Sequence, residues 1–400
     1  MGARYFYACG YNVPQETVVY WYPEQLRIRD GATINDANGA RRPFQRADLD
    51  SILAMVQREP DGRIRSLASL SLGTFGKIKG PFCYDGVRPD DPNDWCPHEH
   101  RRELRALYVI GSFINHYDLK DQNTMDIFVE QETGKGFLKH FLLDFGSTFG
   151  SDGQAAKHIR KGYANMFDLK DVLVSIVTLG LNRWYWEDAK PTPYPELGYF
   201  ESEIFDPGRF DPIVPNPAFE NMTHRDAYWG AKVVMAWRDE DLRTLIKAGE
   251  YSKPEVADYL YDRLKERRDK IGRHWFGKVN PLDWFLITSG EFGLKIDFED
   301  LWNFYSLQPG SRAEYRFKIR YKGETVREGK LQSSELLLSP DELTTLRSMF
   351  RPGNSDDNFL YRVEIETCRD GGRWSRPVRV WLWYHDDREE FEYVGLEHVD

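Results

Sequence analysis

HYDLKDQN (116–123) and DFG (144–146) are the two stretches on which the reading of this chain turns. The first carries His116, Asp118, Lys120 and Asn123, and the second opens with another carboxylate, Asp144. A carboxylate can orient or accept a hydroxyl proton, and an ammonium can meet phosphoryl oxygens. Amide and carboxylate oxygens from two segments can hold a hard divalent cation. Phosphoryl transfer asks for that set, because it needs an aligned oxygen nucleophile and positive charge against the negative charge that spreads over the phosphoryl group. Each residue alone also suits a turn or a solvated surface, so only their combination points to chemistry. His116 reads as scaffold, packing and hydrogen-bonding rather than reacting.

Outward from this core, EHRRELRALYVIGSFINH (99–116) places Leu104, Leu107, Tyr108, Gly111 and Ile114 at helical spacing. That predicts one long amphipathic helix delivering HYDLKDQN at its C-terminal end. MDIFVEQ (125–131) and FLKHFLLDF (137–145) read as two strands around ETGKG, with DFG closing the second. Upstream, residues 3–9 read as a helix end closed by Gly10, ETVVYWY (16–22) and IRSLASLSL (64–72) as strands, and RADLDSILAMVQ (46–57) as a helix. Residues 73–97, rich in Gly, Pro and Asp, read as a loop. From about 165 to 275 the pattern is helical around a Pro-rich loop at 190–217, clearest in YWGAKVVMAW (228–237), DLRTLIKAG (241–249) and EVADYLYDRLKERRDKI (255–271). Beyond about 285, EYRFKIRYKG (314–323), FLYRVEIETC (359–368) and RPVRVWLWYH (376–385) alternate like strands of a small β-sandwich.

The 400 residues predict two domains, and 41% hydrophobic with 30% charged residues suits a soluble globular chain. A net charge of −10 argues against a nucleic-acid partner, and no apolar run approaches a membrane span. Cys9, Cys83, Cys96 and Cys368 form no CxxC pair, so no zinc or redox motif is indicated. Incidental thiols are expected in preference to a Cys83–Cys96 disulfide. His98, His100 and His116 invite a metal reading, but His98 and His100 stand two apart and would face apart on a helix. The N-terminus lacks a signal-peptide apolar segment, and Phe6 departs from a myristoylation signal.

HYDLKDQN resembles the catalytic loop of protein kinases, and LLDFG resembles their metal-binding segment. The resemblance implies Asp118 as catalytic base, Lys120 as the loop lysine contacting phosphate, and Asn123 and Asp144 as ligands of Mg²⁺ beside ATP. It covers roughly residues 1–280. Tyr117 stands where the family's HRD arginine would be, and no APE follows DFG. The pattern is therefore similar to the atypical bacterial kinases of the spore-coat CotH and HipA styles. It also resembles a set of bacterial proteins with segments like CGYNVP (9–14), RPDDPND (88–94) and HEHRRELR (98–105). At the front, no GxGxxG precedes strands 16–22 and 64–72, which would be the last N-lobe strands, and residues 3–9 contain no Glu. GTFGKIKG (73–80), with Lys77 and Lys79, falls at the hinge position. Either a front segment lies upstream of Met1, or the nucleotide is held unusually, or it is not held.

The expectation is an α+β chain with a protein-kinase-like fold. It would have a partial N-lobe at 1–80, a helical C-lobe at 81–284 and a β-sandwich-like domain at 285–400. Its expected activity is ATP- and Mg²⁺-dependent phosphorylation of a hydroxyl acceptor, a protein or small molecule that the residues do not specify. The alternative is a pseudokinase scaffold. Location is cytoplasmic as written, and secreted or periplasmic if a signal precedes. Trp374, Trp381 and Trp383 read as core residues in preference to a binding surface; Trp381 and Trp383 share one strand face.

Overall fold

The structure, a computed structural model, describes residues 1–153, 155–348, 360–385 and 390–400. It is mixed α+β and divides into two compact units. One holds Phe6–Gly80 with Met125–Leu143; the other holds Met1–Tyr5, Pro81–Thr124 and Asp144–Asp400. Among the described residues no helix is long and apolar enough to cross a membrane.

In the first unit, strands Glu16–Trp21 and Ile64–Ser69 pair antiparallel, with Trp21 opposite Ile64. Helix Arg46–Ala54 carries Leu49 and Leu53 one turn apart, so both face the same way, and they meet Ile64, Trp21 and Phe44 in a small core. Asp48 fixes the start of this helix by accepting the Gln45 N–H at 2.8 Å while pairing with Arg42 at 2.6 Å. A second core joins Leu72, Ile127 and Phe141 under a three-stranded sheet. The expectation of a loop across 73–97 needs correction here. Lys77–Gly80 is a strand, paired antiparallel with Asp126–Phe128, so Lys77 and Lys79 belong to a sheet edge rather than to a glycine-rich loop.

The second unit is built on helix Leu107–Phe113. Six residues along it and beside it, Ala106, Leu107, Val109, Ile110, Phe113 and Ile114, are fully buried. The single amphipathic helix expected over 99–116 is instead a 3-10 turn (His98–His100) and two short helices, Arg102–Arg105 and Leu107–Phe113. The second of these is apolar all round because it is enclosed by helices His224–Met235 and Pro254–Phe276. Gly230 allows that approach: a Cβ there would lie 2.8 Å from the Ala106 carbonyl oxygen and 3.1 Å from Val109 Cβ.

The C-terminal strands form two antiparallel sheets that share one core. Three strands (Leu282–Gly290, Gly293–Asp300, Glu335–Leu338) face five (Glu324–Leu331, Ala313–Tyr321, Leu360–Arg369, Val378–His385, Glu390–His398, in spatial order). Alternation decides the inner face: Phe317, Ile319, Val363, Ile365, Val380 and Leu382 point in and meet Ile296, Phe298 and Leu336. Trp381 and Trp383 therefore lie on the outer face, half-buried, against the expectation that they pack in the core. The Arg362 guanidinium sits 5.4 Å from the Trp381 ring, and Arg316 lies 4.4 Å from that of Trp374. Buried polar bonds tie the sandwich to the helices of its own unit. Asp283 accepts from Tyr228 Oη at 2.9 Å and Lys232 Nζ at 2.5 Å, and Asn280 donates to the Ile365 carbonyl at 3.0 Å.

Candidate functional site

The stretch 116–123 leaves the C-terminus of helix Leu107–Phe113, whose last carbonyls need donors. Arg267, 1% exposed, supplies them. Its guanidinium donates to the Phe113 carbonyl at 2.9 Å, to Ser112 at 2.7 Å and to Glu201 at 2.6 Å. A cation at a helix C-terminus also meets the negative end of the helix dipole. Asn115 then turns the chain through a left-handed conformation, φ 52°, and His116 follows into the interior.

Within the stretch the predicted residues meet. Lys120 Nζ lies 2.7 Å from Asp118 Oδ1 and 3.0 Å from Oδ2. Asn123 Nδ2 donates to Asp118 Oδ2 at 2.9 Å and to the Asp118 carbonyl at 2.8 Å. Asp118 and Asn123 are each 9% exposed, so the carboxylate is held in a nearly dry setting by one ammonium and one amide. Outside supports fix the loop's backbone. The Ile213 N–H donates to the Tyr117 carbonyl at 2.7 Å, Asn216 Nδ2 to the Leu119 carbonyl at 3.4 Å, and Thr124 Oγ1 to the Phe82 carbonyl at 2.9 Å.

Asp144 is exposed and left-handed, φ 54° and ψ 73°, and its side chain accepts the Gly146 N–H at 3.3 Å. A non-glycine residue there carries backbone strain, and Asp is among the types that tolerate it. Phe145 behind it is buried, 5.8 Å from the His116 ring. His116 joins the two segments. Its Nδ1 lies 3.4 Å from the Ser147 carbonyl oxygen, and both Asp118 and Asp144 act on its charge. Burial dominates and pushes the imidazole down to about 4, against the Ser147 bond and the two carboxylates, so His116 is neutral near pH 7.

The donor set fits a hard cation. With Nδ2 of Asn123 engaged by Asp118, its Oδ1 and the exposed Asp144 carboxylate are the candidate oxygens for a hard divalent cation, which takes a few protein oxygens together with phosphates. Among the described residues there is no cluster of three or more His, Cys, Asp or Glu side chains placed to hold a metal. The histidines do not gather: His98 contacts Asp94 Oδ2 at 2.7 Å and the Cys83 carbonyl at 2.5 Å, away from the partners of His116. All four cysteines are free thiols.

Sequence reasoning missed the residues that hold the loop from a distance: Arg267, Asn216, Asp152 and Lys161. The Tyr117 hydroxyl, buried, donates to Asp152 Oδ1 at 2.5 Å. No local signal marks Arg267, one of a pair of adjacent arginines in a charged helix. A cavity of about 480 Å³ adjoins the 211–216 segment, walled by Tyr108, Tyr185, Trp186 and Phe219 with Asp168 and Asp171. Comparison with protein-family models finds no match, and comparisons with curated proteins and with solved structures find none.

Proposed function

We propose that this chain is a kinase-like phosphotransferase of the atypical bacterial style, using ATP and Mg²⁺ to phosphorylate a hydroxyl acceptor. The observation that carries the reading is the contact of Asp118 with Lys120 and Asn123, with the neighbouring His116 lying against Phe145 and the Ser147 carbonyl of the segment that Asp144 opens. In this reading residues 1–80 stand for a partial N-lobe and 81–284 for a helical C-lobe.

Asp118 orients the acceptor hydroxyl and takes its proton as the oxygen attacks the γ-phosphorus. The bond from the γ-phosphorus to the β,γ-bridging oxygen breaks, and ADP leaves. Lys120 moves part of its charge from Asp118 to the phosphoryl oxygens as they approach. Asn123 Oδ1 and the Asp144 carboxylate would hold the cation, which would offset charge on the phosphates when bound. His116, neutral and buried, spaces the two segments.

The second reading is a pseudokinase scaffold. It is favoured by the strand conformation of Lys77–Gly80, which puts Lys77 and Lys79 on a sheet edge and not in a phosphate-cradling loop. ATP turnover with and without Mg²⁺, in the wild type and in Asp144→Ala and Asp118→Asn, separates the two. The enzyme reading expects Mg²⁺-dependent turnover that both substitutions lower by at least about a hundredfold. Wild-type turnover no greater than that of the variants leaves the scaffold reading.

A further inference from the structure

The segment after DFG is tied to the loop before it by one carboxylate. Tyr117 is 1% exposed, so its hydroxyl needs an acceptor inside the protein, and Asp152 Oδ1 is that acceptor at 2.5 Å. The other oxygen of Asp152 takes Lys161 Nζ, which also lies 5.3 Å from the centre of the Tyr117 ring. Lys161 returns the tie from the opposite side, since its carbonyl accepts from Asn115 Nδ2 at 3.4 Å and from the buried Lys157 Nζ at 2.8 Å. Gly162, at φ 90°, lets Asn115 approach, because a Cβ there would collide with Asn115 Oδ1. Asn115 and Tyr117 flank His116, so both neighbours of the imidazole are clamped by residues 152–161. Backbone bonds complete the fold of the segment: Gly153 N–H to the Gly146 carbonyl at 3.0 Å and Lys157 N–H to Gly150 at 2.7 Å.

We propose that Asp152 is a positioning residue whose fixed charge, through Tyr117 and Lys161, keeps the catalytic loop and the segment after DFG ordered without covalent modification. This rests on the phosphotransfer reading for its consequence, and on the clamp geometry alone for its existence. The charge persists through neutral pH. Burial raises the Asp152 carboxyl, but the bonds from Lys161 and Tyr117 outweigh it and hold the group below the usual carboxylate range. Burial and the Asp152 bond keep the Tyr117 phenol protonated as donor.

The test is amide hydrogen exchange with ATP turnover on the full chain, for wild type, Asp152→Asn, Asp152→Glu, Tyr117→Phe and Lys161→Met. Loss of a charge-assisted bond should speed exchange in residues 114–120 and 146–162 by about ten- to a hundredfold, leaving strand Ala313–Tyr321 unchanged. Turnover should lose kcat with KM for ATP nearly constant, and Asp152→Glu should recover part of it. Phosphatase treatment of the wild type should change nothing. Wild-type exchange rates in both Asp152→Asn and Tyr117→Phe, or loss of protection on phosphatase treatment, would overturn the clamp. If Asp152→Asn does not fold, Tyr117→Phe, which removes one oxygen, decides the question. An inactive wild type would count against the phosphotransfer reading, while the exchange data would still judge the clamp.

Discussion

Replacing Arg267 by Met probes the support on which the candidate site rests. The guanidinium is buried, donates to three carbonyls, and lies 3.6 Å from the Phe205 ring centre and 4.9 Å from that of Phe200. Methionine fills much of the same volume, so the cavity contribution is small and the lost bonds dominate. A hydrogen bond from a charged donor contributes roughly 1.5–3 kcal/mol, and three to one group are not additive. Desolvation of the arginine itself offsets part of their sum. The net expectation is a loss of about 3–5 kcal/mol. Two of the three acceptors, Ser112 and Phe113, end the helix from which 116–123 departs, so the damage should concentrate there. Urea unfolding of the full chain measures the loss, and amide exchange over 107–123 locates it. A loss below about 1 kcal/mol, or one without faster exchange in that window, would refute the reasoning. Arg267→Lys should recover little, because a single ammonium cannot address three carbonyls in a planar fork.

Acid should destabilise the protein through its buried histidines. His116 and His398 are both pushed down to about 4, chiefly by burial, so their contribution is complete above the unfolded value near 6.5 and is lost as pH falls from there toward 4. Each shift corresponds to roughly 3 kcal/mol, and His116→Gln should flatten the fall in urea midpoint between pH 7 and 4.5; an identical fall in the variant would contradict this. Gly230→Ala should cost about 1–3 kcal/mol in the same unfolding assay, because its methyl meets the Ala106 carbonyl at 2.8 Å. Lys120→Met removes the ammonium from Asp118 and should lower turnover far more than it lowers nucleotide affinity, as a kcat and KM comparison would show.

What was legible in the residues depended on how locally each feature is determined. Three of the eight sandwich strands among the described residues were readable because alternation is a property of one strand: Val378, Val380 and Leu382 go in whatever lies beyond them. Their faces were harder, since Trp381 and Trp383 are large and apolar yet lie opposite that inward set. That Asp118, Lys120 and Asn123 belong to one site was readable from their spacing within eight residues, but their bonds to one another were not. Strand Lys77–Gly80 was hidden because its partner, Asp126–Phe128, is remote and its own residues are glycine-rich and basic. The break at Ala106 was hidden because a fully enclosed helix loses the polar face that marks amphipathic periodicity. Asp152, Lys161 and Arg267 left no trace, because each acts on a backbone or hydroxyl far along the chain.

The central claim is that Asn123 and Asp144 hold one divalent cation together with a nucleotide. Titration of Mn²⁺ into the full chain with a non-hydrolysable ATP analogue, followed by the cation's paramagnetic signal, tests it most directly. The account predicts one nucleotide-dependent Mn²⁺ site, weakened at least about tenfold by Asn123→Ala and by Asp144→Ala separately. Mn²⁺ binding that is indifferent to the nucleotide, or unchanged in both variants, would contradict it.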